Sequence, residues 1–162
     1  MKKLLTLISI IAFSVNGFCQ DIVKICDEMI MANNFDKVSS IIVNGGMVIE
    51  PLQNLYGYDT DLKIIASNGS QPITPTMCTV TAKSKEDRRI ELISVVYNGN
   101  AGIVIKGLKG IGYEFLYSGT YEEGGFKFNY NVYFKPKLNI TCKVSLPADG
   151  SIGALLEFHN EQ

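Results

Sequence analysis

The 162-residue chain contains no tryptophan and one histidine, His159. A histidine-based metal centre has almost no material to work with, and a nucleophile relay would have to be built on that single imidazole. No Gly-x-Ser-x-Gly elbow is present to offer it a serine. Neither sign of charge dominates: 15 Lys and Arg stand against 16 Asp and Glu, a net charge of -1. That balance supplies no basic field for a phosphate backbone, so nucleic acid is excluded as an expected partner. The four cysteines form no Cys-x-x-Cys pair, which removes the common zinc and dithiol redox motifs. No cofactor or metal is expected.

What the chain does have is apolar mass. Hydrophobic residues make up 46% of it, with 8 Tyr and 8 Phe, enough to order one domain of this length and too much for a disordered chain.

Met1-Lys2-Lys3 followed by the apolar run from Leu4 to Phe13 is the pattern of a secretory signal peptide and is too short for a membrane span. Gly17 and Cys19 supply the small side chains a signal peptidase requires, which places the cut after Cys19 and divides the chain into a signal peptide, 1–19, and a single α+β domain, 20–162. The alternative, acylation of Cys19 as a lipoprotein, is disfavoured by bulky Phe18. The expected location is periplasmic or secreted. Loss of Lys2 and Lys3 leaves 13 basic and 16 acidic side chains and three cysteines, Cys26, Cys78 and Cys142. Mass spectrometry of exported protein should find a chain starting at Gln20, and a diacylglycerol on Cys19 would overturn that reading.

Ile22, Ile25, Cys26, Met29 and Ile30 recur at helical spacing between Asp21, a candidate N-cap, and the Asn33-Asn34 stop. Downstream, period-two alternation takes over. Phe126, Phe128, Tyr130, Val132 and Phe134 form one apolar stripe; Leu138, Ile140, Cys142, Val144 and Leu146 form the next; Ile152, Ala154, Leu156 and Phe158 form a third. Short connections at Lys135-Pro136-Lys137 and Pro147-Ala148-Asp149-Gly150 make these strands antiparallel neighbours. Cys78–Lys83, Ile90–Tyr97, Ile103–Leu108 and Tyr113–Tyr117 read as earlier strands, and Pro72 and Pro75 mark an edge. Val43–Met47 reads either as a hairpin turn or as the end of a second helix at Asn44. The expected fold is α+β: an N-terminal amphipathic helix packed on a twisted antiparallel β-meander, open or curled into a half-barrel.

Each chemical candidate has a simpler structural explanation. Asp59-x-Asp61 begins like a calcium loop but is not continued, which leaves turn capping. Glu122-Glu123-Gly124-Gly125 reads as a hairpin tip and Lys83–Arg89 as a solvated turn of mixed charge. The glycines from Gly107 to Gly112 lack the spacing of a phosphate loop. His159 reads as a solvated terminal residue. The remaining feature is aromatic: Tyr113, Phe115, Tyr117, Phe126, Phe128, Tyr130 and Phe134 are the candidate lining of an apolar ligand pocket between sheet and helix, with Tyr121 and Tyr133 expected at the surface. By subtraction, the expected function is non-catalytic: an exported binding protein of the cell envelope or exterior, taking a small apolar ligand or an envelope protein. The alternatives are a protein-interaction module joined through an edge strand, and a hydrolase-type enzyme whose site sequence alone does not assemble.

Overall fold

A computed structural model describes residues 22–50, 59, 61–68 and 76–161. The signal peptide, the Asp21 cap and the Pro72 and Pro75 edge lie outside those residues. Residues 22–32 form helix α1, and its stripe of Ile22, Ile25, Cys26, Met29 and Ile30 is wholly buried. The helix stops at Asn33, whose backbone takes a positive φ of 45° and whose side-chain oxygen accepts from Ile90 N at 3.1 Å. After a 3-10 turn, Phe35–Lys37, helix α2 spans Val38–Asn44 and buries Val38, Ile41 and Ile42. Of the two readings of Val43–Met47, the second helix is therefore the one observed. A Cβ on Gly45 would come within 2.6 Å of Ile25 Cγ1, so glycine there lets α1 lie close against the end of α2.

Among the described residues eight strands follow: β1 Val48–Ile49, β2 Lys63–Ser67, β3 Met77–Ala82, β4 Ile90–Tyr97, β5 Glu114–Glu123, β6 Phe126–Lys135, β7 Ile140–Pro147 and β8 Ala154–Asn160. All pairings are antiparallel and the spatial order is β1-β2-β3-β4-β8-β7-β6-β5. The sheet is two four-stranded meanders joined at β4 and β8, open at both edges and not closed into a barrel. Between them lies a helix, α3, Ala101–Gly110, where the sequence predicts a strand at Ile103–Leu108. The β-branched run Ile103-Val104-Ile105 misleads locally. Asn100 caps the segment by accepting from Gly102 N at 2.8 Å, and Val104 and Leu108, four apart, are both buried. This helix carries the chain from the centre of the sheet to its far edge, so β5 cannot continue the first meander.

Cross-strand partners point to the same side of a sheet, so the register sorts every strand residue onto a face. One row runs Ile64, Val80, Ile93, Phe158, Cys142, Tyr133, Phe115. The first six are buried in the cluster that contains the buried residues of all three helices, and this is the helix face. Three expected positions differ: Leu138 lies in the turn before β7 and not on the strand. Ile152 lies outside β8 and is 84% exposed, and His159 lies within β8, opposite Leu92 and Thr141. No helix among the described residues is long and apolar enough to cross a membrane.

Candidate functional site

The seven aromatics expected to share one pocket are divided between the two faces. Tyr113 is in the helix-face core, its ring edge-on to Phe158 at 6.2 Å, and Phe115 packs edge-on against Tyr133 at 6.0 Å. Phe128, Tyr130 and Phe134 pair with Pro147, Ser145 and Thr141, which places them on the opposite side. Phe126, in phase with them, and Tyr117, opposite Val132 after an irregularity at Leu116, lie on that far face too. The stripe on β6 is thus inverted relative to the sequence reading: Tyr133 is 3% exposed under the helices, and the more apolar stripe faces away from them.

On the far face the aromatics form a cluster. Tyr121 stacks on Phe128 with centroids 5.1 Å apart and planes 17° apart; Tyr130 meets Tyr121 at 6.1 Å and Tyr117 at 6.3 Å. A Cβ on Gly119 would fall 2.6 Å from Tyr130 Cζ, so the Tyr130 ring lies down over the glycine of the neighbouring strand. Lys143 reaches over the rings of Tyr121, at 4.7 Å, and Tyr130, at 5.6 Å, while its ammonium pairs with Glu157 at 3.1 Å.

The cluster is continuous with aliphatic surface. A far-face row runs Met77, Val96, Leu155, Ser145, Tyr130, Gly119. Met77 is 41% and Val96 50% exposed. Val96, Ala154, Leu155, Pro147, Phe128 and Tyr121 surround a groove of about 220 Å³, with Ser145 in its lining and Glu123 beside it. A second, wider cavity of about 520 Å³ adjoins it across Phe128 and Pro147, bounded by Phe126, Lys127 and Asp149. Ser145 is 2% exposed, and its hydroxyl has no hydrogen-bond partner among the described residues. Sequence reading passed over Val96, Leu155 and Ser145. The available signal was the unbroken apolar runs Val95-Val96-Tyr97 and Ala154-Leu155-Leu156, which put apolar groups on both sides of a strand.

Beneath the helices the described residues include a buried polar constellation. Asp27 of α1 accepts from Tyr113 Oη at 2.9 Å and from Lys135 Nζ at 2.6 Å. The Lys135 and Asp27 side chains are 15% and 12% exposed. Burial, then the Asp27 carboxylate, pushes the Tyr113 phenol well up, so it stays a neutral donor. This arrangement fastens α1 to the start of β5 and the end of β6.

Cys26, Cys78 and Cys142 are free thiols, all fully buried. Burial raises the Cys26 and Cys142 thiols well above their ordinary range, which quiets them. Labelling of the native protein with a thiol reagent should therefore be slow at Cys26, Cys78 and Cys142 and reach all three once denatured without reductant; only one of the three reacting would reveal a bridge.

The surface candidates resolve into turns. Asp59 Oδ1 accepts from Asp61 N at 3.0 Å, and both carboxylates bind Lys85. Residues 124 and 125 are the glycines of the β5–β6 tip, with φ of 59° and 80°. Arg88 pairs with Asp36 at 2.8 Å and covers the Phe35 ring, joining the 83–89 turn to the helical side. No cluster of three or more His, Cys, Asp or Glu able to hold a metal occurs among the described residues. Comparison with known proteins returns no matching family model, no matching curated protein and no matching solved structure.

Proposed function

We propose that this is an exported, non-catalytic binding protein of the cell envelope or exterior, and that it binds through the face of the sheet turned away from the helices. The observation that carries the reading is the run of Met77, Val96 and Leu155 into the Tyr121, Phe128 and Tyr130 cluster, ending in a groove. Solvent-facing apolar groups of this kind, contiguous and edged by charge at Glu123, Lys143 and Glu157, serve contact with something else better than they serve the fold. The basic start and apolar run at residues 1–13 support export.

The dye 1-anilinonaphthalene-8-sulfonate tests the binding face. Its emission should rise on the native protein, and the double variant Val96→Lys, Leu155→Lys should remove that rise while keeping the far-UV circular dichroism spectrum. Undiminished dye binding by a folded double variant would count against the far face.

A further inference from the structure

We infer that the far-face groove takes a small, uncharged ring-shaped ligand carrying one hydrogen-bonding substituent, and that the Ser145 hydroxyl is its polar contact. The inference rests on the binding face proposed above and names the chemistry that face selects. Three observations lead to it.

The first is size and lining. About 220 Å³ bounded by Val96, Leu155, Phe128 and Pro147 suits one substituted six-membered ring and is too small for an extended drug-sized molecule. An aromatic ligand edge or face would meet the stacked Tyr121 and Phe128 pair, whose geometry favours further ring contacts.

The second is Ser145 itself. Buried polar groups are nearly always paired, because leaving one unsatisfied costs free energy, so an orphan in a groove calls for a specific explanation. Its strand neighbours on this face, Tyr130 and Leu155, pair with it across β6 and β8, yet neither provides a side-chain bond to the hydroxyl. A hydroxyl both donates and accepts, so it can serve a phenol, an alcohol or an amide.

The third is charge. Lys143, over the Tyr121 and Tyr130 rings on this face, is already held by Glu157 at 3.1 Å, while the Glu123 carboxylate stands beside the groove. A ligand anion would meet Glu123, and no Lys or Arg stands among the described residues that line this groove to offset it. A neutral substituent meets no such opposition.

Three probes of one shape separate these elements: toluene, p-cresol and 4-methylbenzoate, titrated into the exported chain and followed by methyl and aromatic NMR shifts. The expected order of affinity is p-cresol, then toluene, then 4-methylbenzoate, with p-cresol about threefold to tenfold tighter than toluene, the range of one net hydrogen bond. In Ser145→Ala that preference should fall to within about twofold while toluene affinity is unchanged. Ser145→Ala should also be at least as stable as the parent, because it deletes an unpaired hydroxyl; a marked loss of stability would show the hydroxyl to be bonded within the fold and overturn the inference. Equal affinities of the parent for toluene and p-cresol, with shifts at Val96 and Leu155, would overturn the role of Ser145 and leave the binding face standing. Shifts confined to residues beneath the helices, or none with any probe, would overturn both.

Discussion

Replacing Asp27 by alanine should lower stability by about 3 to 5 kcal/mol, the cost of removing one member of a buried ion pair. The loss has two sources. Lys135, 2.6 Å from the carboxylate and only 15% exposed, would be left as a charge without its counter-ion, and the buried Tyr113 phenol would lose its acceptor at 2.9 Å. The double variant Asp27→Leu, Lys135→Met should recover much of the loss, since it removes the desolvation cost together with the attraction. Urea unfolding checks both: the midpoint should fall sharply for the single variant and rise again for the double, with the slope unchanged. A loss under about 1 kcal/mol for Asp27→Ala would place the pair among water-screened surface bridges and remove α1's polar fastening.

Phe158→Ala should be comparably damaging, about 3 to 5 kcal/mol, because Phe158 is completely buried at the middle of the helix-face row and contacts the Tyr113 ring. Phe128→Ala should cost about 1 to 2 kcal/mol, chiefly its stacking on Tyr121 on the partly exposed far face. The pair of values reads the sheet's orientation directly. If Phe128 proved the costlier, β6 would present its aromatic stripe to the helices after all.

That orientation is where sequence reasoning divides into what it reached and what it did not. The α1 stripe and the inward phase of Ile140–Leu146 and Ala154–Phe158 were legible, because burial on one face writes a period into the sequence, although the expected runs begin too early, at Leu138 and Ile152. Period alone does not say which stripe of β6 is buried. The connection read from the sequence, Lys135-Pro136-Lys137, would oppose Phe134 to Leu138; the turn is instead 136–139, so Lys135 opposes Ile140 and Tyr133 opposes Cys142, and that one-residue difference moves every β6 side chain to the other face. The apolar weight of Phe126, Phe128, Tyr130 and Phe134 agreed with the shorter turn, because a soluble strand is expected to bury its greasier side. Here the greasier side belongs to the candidate site, a local conflict typical of functional surfaces.

The α3 segment escaped for a different reason. Its three β-branched residues favour a strand by propensity, and the burial of Val104 and Leu108 beneath the fold overrides that preference. Missing α3 also hid the crossover that places β8, and with it Leu155, beside Val96 of β4. The groove depends on that pairing, which joins residues almost sixty positions apart and is invisible to any local pattern. Asp27 and Lys135 likewise meet only through the packing of α1 across the end of β6.

The central claim is that this protein works through the far face of its sheet. A crystal structure of the protein, purified from its own host without added ligand, tests it most directly. The account predicts electron density for a bound small molecule against Leu155, Phe128 and Ser145; a molecule lodged instead between α1 and the sheet, with the far face holding only water, would contradict it.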